Sequence, residues 1–210
     1  MRFILLVEGE AERIALPRFF ERWLNPQLQR RVGIKAVKLP GSGGYIKDLV
    51  KLVTMQLNAP NQQEIIAVFG LLDLYGLPDN FLPRNLTDAQ ARYDWAKREL
   101  EKRVGHMKFR QFFAVHELEA WLLSDPGIFP REVKEALPAA IANPEAVNFN
   151  QPPATLLERL FRKQLKQPYQ KPKQGLDLFT KLDPALAYQK CPRLKELLDE
   201  MLSLAKACGN

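Results

Sequence analysis

Two stretches of this chain are apolar almost without a break, and each stops at a carboxylate. Phe3-Ile-Leu-Leu-Val7 runs into Glu8, and Ile65-Ile-Ala-Val-Phe-Gly-Leu-Leu72 runs into Asp73. A strand with one wet face alternates polar and apolar residues, whereas a strand covered on both faces does not. Doubly covered strands belong to parallel sheets with helices on either side, so these two runs constrain the fold more than any other feature. A third run, Arg110-Gln-Phe-Phe-Ala-Val-His116, is followed by Glu117 and Glu119. The segment 33–39, with Ile34, Val37 and Leu39, reads as a further strand.

Helical patterns lie between them. Leu16, Phe19, Phe20, Trp23 and Leu24 recur at i, i+3, i+4 and i+7 up to Asn25-Pro26. Pro17 removes a backbone bond inside that run, at about 3 kcal/mol, so a kink or a late helix start is expected. A glycine turn, Pro40-Gly-Ser-Gly-Gly44, leads into residues 45–57, where Ile46, Leu49, Val50, Val53 and Leu57 share one face. Residues 86–104 present Ala89, Tyr93, Ala96, Leu100 and Val104 as a buried stripe. Strands and helices thus alternate through residues 1–125, the pattern of an α/β fold with a central parallel sheet of about four strands. Residues 126–210 carry no strand pattern and read as helices at 130–142, 153–165, 176–188 and 192–207, broken by prolines. The expected organisation is an α/β core over 1–125 and a helical C-terminal extension, 126–210, packed on it.

No apolar run approaches the roughly 18 residues that a membrane-spanning helix requires. The N-terminus turns acidic at Glu8, unlike a signal peptide. Cys191 and Cys208 form no CxxC pair, and with two histidines in the chain they argue against structural zinc and for a reducing, cytoplasmic setting. The net charge of +7 favours a polyanionic partner. It is concentrated in 151–175, where Arg159, Arg162, Lys163, Lys166, Lys171 and Lys173 oppose only Glu158.

Ligands of open parallel sheets sit beyond the carboxyl ends of the strands. Glu8, Asp73 and Glu117 fall at that edge, one from each of three strands. Crowded carboxylates raise each other's cost of ionisation and seldom persist without a cation or a shared proton. Mg²⁺ or Mn²⁺ takes one or two carboxylates with water and phosphate oxygens, polarises the phosphoryl group and activates a water. The expected site has Glu8, Asp73 and Glu117 as metal ligands, with Glu12 or Glu119 activating or positioning water. Glu8 and Glu12 share a face if the helix has begun by Gly9. Lys47 and the basic residues of 151–175 are the candidates for holding a nucleic-acid backbone. The glycine turn resembles a phosphate cradle at a helix start, although it matches neither GxxxxGK[ST] nor GxGxxG.

Plainer readings stand beside these. Glu8 suits a helix entry, Glu12 a solvated helix surface, and Asp73 the turn before Gly76-Leu77-Pro78. The glycine stretch reads equally as a simple loop and Lys47 as a solvated lysine. His116 suits a structural strand end, Trp121 and Leu122 the core, and Cys191 a packed helix start.

Taken together, Val7-Glu8-Gly9-Glu10-Ala11-Glu12, Phe69-Gly-Leu-Leu-Asp73-Leu-Tyr75-Gly-Leu-Pro78 and His116-Glu117-Leu118-Glu119-Ala120, with Ser124-Asp125-Pro126, resemble the DUF4276 family. Tyr169-Gln-Lys171, Gly175 and Cys191-Pro192 fit its C-terminal pattern. That family is similar to the Toprim domains of topoisomerases, primases and OLD-type nucleases. The resemblance implies a Toprim-like sheet with Mg²⁺ held by Glu8, matching the Toprim glutamate, and Asp73, matching the first aspartate of its Asp-x-Asp motif. It also implies a role in bacterial anti-phage or mobile-element defence, with an ATPase partner encoded nearby. The chain departs from the motif at Tyr75, where the second aspartate would stand. Either Glu117 or Glu119 takes that ligand's place, or the metal site is weaker. The function expected is a Mg²⁺-dependent nuclease acting on DNA or RNA. The alternative is a catalytically silent nucleic-acid-binding or assembly subunit that works with an ATPase.

Overall fold

The structure, a computed structural model, describes residues 1–39, 41–78, 80–115, 117–138, 141–146 and 152–209. Four strands, β1 (Arg2–Val7), β2 (Gly33–Lys38), β3 (Ile65–Asp73) and β4 (Phe109–Ala114), form one parallel sheet in the order β2-β1-β3-β4. The two unbroken apolar runs are its two inner strands, and residues 3–7 and 65–72 are all buried. The expected α/β architecture is therefore present, and its central strands are those with no polar face.

Three crossover helices join the strands: α1 (Glu10–Leu24), α2 (Gly41–Leu57) and α3 (Ala89–Val104). Helix α1 buries Leu16, Phe19, Phe20 and Leu24, and it runs through Pro17 instead of starting after it. Helix α3 is held at its start by Asp88, whose side chain accepts the Ala91 N–H at 2.8 Å, and ends at Gly105 in the left-handed region, φ 61°.

The rest of the chain is helical: α4 (Glu119–Leu122), α5 (Arg131–Ala136), α6 (Pro153–Leu165), α7 (Leu176–Lys181), α8 (Pro184–Lys190) and α9 (Pro192–Ala207). The helix expected over 176–188 is two helices. Pro184 cannot continue the first, and the Asp183 carboxylate caps the second through the Ala185 N–H at 2.9 Å. These helices share the core of the sheet. Trp121 packs on Phe19 and Phe20 of α1, Phe179 of α7 meets Phe19 edge-on, and Leu194, Leu197, Leu198 and Met201 of α9 join the same apolar cluster. Leu122 and Cys191 are buried as the sequence suggested. Among the described residues no helix is long and apolar enough to cross a membrane.

Two features position the site. The chain leaves β1 toward β2 on one side and reaches β3 on the other, so the direction of winding reverses between β1 and β3. At such a switch point the loops diverge and open a crevice beyond the strand ends. Glu8 and Asp73 stand at the ends of the two strands that border this switch point. Beneath it, Gly70 of β3 admits a buried hydrogen bond, 2.5 Å, from the Tyr45 hydroxyl to Gln111 Oε1. A Cβ on Gly70 would stand 1.9 Å from that hydroxyl and 2.4 Å from the Gln111 oxygen.

Candidate active site

The β1–α1 junction corrects one expectation. Gly9 is extended (φ −106°, ψ 162°) and α1 begins at Glu10, so Glu8 lies outside the helix and shares no helical face with Glu12. The two acids gather differently. Glu12 folds back over the junction, and a Cβ on Gly9 would stand 1.9 Å from Glu12 Oε2. Gly9 is needed here for close approach, since its φ suits any residue. Glu12 is only partly exposed, and its Oε2 is buried with no hydrogen-bond partner among the described residues. It is not a freely solvated helix glutamate.

Glu8 Oε1 accepts the Ser42 N–H at 2.8 Å. Ser42 lies in the first turn of α2, because the glycine stretch is helical from Gly41 onward instead of forming a free turn. A helix N-terminus attracts anions, and the anion seated here is the chain's own glutamate. Pro40 lies outside the described residues. The Ser42 hydroxyl donates to the Gly76 carbonyl at 2.7 Å, tying α2 to the 3₁₀ turn Leu74–Gly76 that follows β3. Gly76 separates the two acids. A Cβ placed on it would lie 3.5 Å from Asp73 Cβ and 4.0 Å from Glu8 Oε2. Gly76 thus lies between the Glu8 carboxylate and the Cβ of Asp73, while the charged neighbours of the Asp73 carboxyl are Lys171, Glu119, Glu117 and Glu12. Lys47 is exposed, one turn further along α2.

The other acids approach from the far side. Burial pushes the Asp73 carboxyl well above the ordinary range; Lys171 opposes this, while Glu119, Glu117 and Glu12 add to it. Glu119 is 4% exposed at the start of α4. Its Oε2 lies 3.0 Å from Lys171 Nζ, and its Oε1 accepts a long bond, 3.4 Å, from the Tyr169 hydroxyl. Burial raises the Glu119 carboxyl too, against the pull of Lys171. Glu117 Oε1 lies 3.6 Å from Lys171 Nζ, and its Oε2 accepts the Ala154 N–H of α6 at 2.8 Å. For Lys171 itself, burial works against the charge, but Glu119, Glu117 and Asp73 outweigh it and hold the ammonium firmly protonated.

Asp73, Glu117 and Glu119 thus gather around Lys171 with Glu12 near Asp73, and Glu8 is bonded to the start of α2. Among the described residues no three His, Cys, Asp or Glu side chains are placed to hold an ion together. Glu117 is engaged with Lys171 and α6 and does not close on Glu8 and Asp73 as a third ligand. A hard divalent ion needs only one or two carboxylates, with water and phosphate oxygens completing its shell.

The basic candidates also divide. Arg159, Arg162, Lys163 and Lys166 are exposed along α6 and its C-terminal end, with Arg162 paired to Glu158 at 2.8 Å; Lys173 is exposed as well. Lys171 belongs to the acidic edge instead. Sequence reasoning overlooked Ser42, whose signal was a lone hydroxyl residue among glycines ahead of a helix. It also left Tyr169 without a role. Tyr75 stands 46% exposed with the Arg92 guanidinium 5.7 Å from its ring centre. His116 lies outside the described residues.

The family model described as a domain of unknown function, DUF4276, matches residues 7–202. No curated protein matches the sequence. Among solved structures, the chain is similar to the C-terminal region of the Xanthomonas campestris pv. campestris OLD protein, at 20% identity over 100% of this chain and 97% of that one, with a TM-score of 0.42. It is also similar to the C-terminal region of the Burkholderia pseudomallei OLD protein, at 17% identity over 97% and 98%, with a TM-score of 0.48.

Proposed function

The chain belongs to the DUF4276 family, and we propose that it is a Mg²⁺- or Mn²⁺-dependent phosphodiester hydrolase of Toprim type that acts on nucleic acid. One observation supports this reading: at the switch point the buried Asp73 carboxyl has Glu119, Glu117 and Glu12 as acidic neighbours against Lys171, and Glu12 Oε2 is buried with no hydrogen-bond partner among the described residues. Carboxylates held this way call for a cation.

Glu8 and Asp73 would hold the ion. A bound ion would supply Lewis-acid polarisation of a phosphoryl oxygen there. Glu12 Oε2 is the free acceptor beside them and takes the proton of the attacking water. Lys171, its side chain 39% exposed, presents its ammonium to the crevice from the other side and offsets charge on the phosphate. Glu117 and Glu119 position that lysine. Because Glu117 also anchors the first turn of α6, the helix bearing Arg159, Lys163 and Lys166 starts at the acidic edge and leads a phosphate backbone away from it. The family resemblance adds the setting of a cytoplasmic anti-phage or mobile-element defence system with an ATPase encoded nearby.

Tyr75, in place of a second aspartate, favours the other reading, a silent nucleic-acid-binding or assembly subunit. Incubating purified protein with Mn²⁺ and DNA or RNA substrates separates the two. Cleavage that disappears in Glu8→Gln and Asp73→Asn is the expected result. Tight binding without cleavage of any substrate would leave the silent subunit as the answer.

A further inference from the structure

Helices α1 and α7 leave a small apolar slot between them, about 210 Å³, lined by Ile14, Ala15, Arg18, Phe19, Leu176 and Phe179. Phe19 and Phe179 are buried and meet edge-on, ring centres 5.7 Å apart, whereas Ile14 is 46% exposed. The frame of the slot is fixed. Arg22, which also borders it, donates to the carbonyls of Phe179, Thr180 and Leu182 at 2.8, 2.7 and 2.8 Å and so ties the end of α7 to α1. The Thr180 hydroxyl is spent on the Asp177 carbonyl at 2.7 Å. Arg18 is the exception: it is exposed and paired to no acid among the described residues.

Both walls lead back to the acidic edge. Ile14 and Ala15 follow Glu12 along α1, and Leu176 opens α7 directly after the π-helical turn Lys171–Gly175 that carries Lys171. Along either element the slot begins within about one to two helical turns of these groups. Its size narrows the occupant. Sites for drug-sized ligands start at about 300 Å³, so this one suits a single flat ring system. Apolar walls with an unpaired guanidinium beside them, next to an edge that handles phosphodiesters, match a nucleobase whose phosphate meets Arg18. The other lining side chains are apolar or already hydrogen-bonded, so the slot gains from any base without reading its edge. A base enters only out of its stack, which intact duplex opposes and a single strand does not.

We propose that the slot between α1 and α7 receives an unstacked nucleobase beside the reacting phosphodiester, so that the preferred substrate is single-stranded or locally unpaired nucleic acid. The inference rests on the reading of the protein as one that acts on nucleic acid, and adds the form of the substrate and the residues that select it. Duplex DNA can still meet the exposed charges of α6, but its bases do not reach the slot.

Fluorescence-anisotropy titrations of the full chain, in Ca²⁺ and again in EDTA, test both levels with three probes: a single strand, the same strand built of abasic sites, and a duplex. The wild type binds the base-bearing strand about 10-fold more tightly than the abasic one, the scale of one base contact. Ala15→Leu, which fills the slot with a good helix former, abolishes that difference and leaves duplex binding unchanged, while Arg18→Gln weakens both strands equally. Circular dichroism confirms that each variant is folded. A measurement on the wild type alone stands beside these: a strand carrying 4-thiothymidine should photo-crosslink within residues 14–19 or 176–179. Equal affinity of the wild type for base-bearing and abasic strands, discrimination that survives in a folded Ala15→Leu protein, or crosslinks confined to other segments would overturn the slot inference and leave nucleic-acid binding intact. No binding of any probe in either buffer would overturn the nucleic-acid reading itself.

Discussion

Glu8 and Glu117 are close counterparts. Each follows a strand of the same parallel sheet, and each gives one carboxylate oxygen to a main-chain N–H in the first turn of a helix, Ser42 in α2 and Ala154 in α6. They differ in what the second oxygen meets. For Glu117 it is an ammonium at 3.6 Å; Glu8 Oε2 lies by Gly76, 4.0 Å from where a Cβ would be. The same local device, a carboxylate seated on a helix start, is complete in one place and short of positive charge in the other. That asymmetry is the ground on which the proposed ion is placed beside Glu8.

The comparison breaks most directly at the open side. Glu8→Gln or Asp73→Asn is expected to lower cleavage by on the order of 10²–10³-fold, since removing a group that stabilises transition-state charge typically costs about 3–4 kcal/mol. Comparable activity in Glu8→Gln would remove the distinction between the two glutamates. Gly9→Ala comes next. Its Cβ would stand 1.9 Å from Glu12 Oε2 and must push that carboxylate aside, which is the flexible end of a side chain. Activity should fall by about 10- to 100-fold, the scale of a 1 Å misplacement, with the melting temperature nearly unchanged.

On stability the two sides separate with opposite sign. The Asp73 carboxyl is raised in the folded protein, by burial first and by its acidic neighbours, so the folded chain binds this proton more tightly than the unfolded one. Stability then falls as pH rises through the interval between the ordinary carboxylate range and the raised value. Metal-free Asp73→Asn should accordingly melt a few degrees higher than wild type at neutral pH, at roughly 2–4 °C per kcal/mol for a chain of this size, and saturating Mg²⁺ should erase the gap. On the completed side, Glu117→Ala removes a helix-capping acceptor and should cost about 1 kcal/mol. Chemical denaturation of the two variants side by side reads this contrast. The smallest effects lie furthest from the acids. Arg159→Ala with Lys163→Ala should leave Mn²⁺ binding alone and reduce the salt dependence of duplex DNA binding by about 0.9 in log–log slope for each phosphate that is no longer neutralised.

How much of this was legible beforehand follows from where the information lies. β1 and β3 could be read because doubly covered strands are written as continuous apolar runs, and Glu8 and Asp73 because carboxylates interrupt those runs. The start of α2 was hidden: its Gly-Ser-Gly-Gly stretch has poor helix propensity, and Glu8, which bonds to its first turn, is 34 residues away. Lys171 was visible only as one cation in a basic tract. Nothing in Lys171-Pro-Lys-Gln-Gly175 announces a π-helical turn, and the partners that assign the lysine to the acids come from a different part of the chain. A shared face for Glu8 and Glu12 required a helix begun by Gly9; α1 begins at Glu10, and the absent side chain of Gly9 lets Glu12 fold back instead.

The central claim is that the sheet edge is short of one cation on the Glu8–Asp73 side. Anomalous diffraction from crystals of the full chain soaked in Mn²⁺ tests it most directly. The predicted result is a peak bonded to Glu8 and Asp73, with Lys171 still in place between Glu117 and Glu119. A peak among Glu117 and Glu119 with the lysine displaced, or no peak at the edge at saturating Mn²⁺, would contradict it.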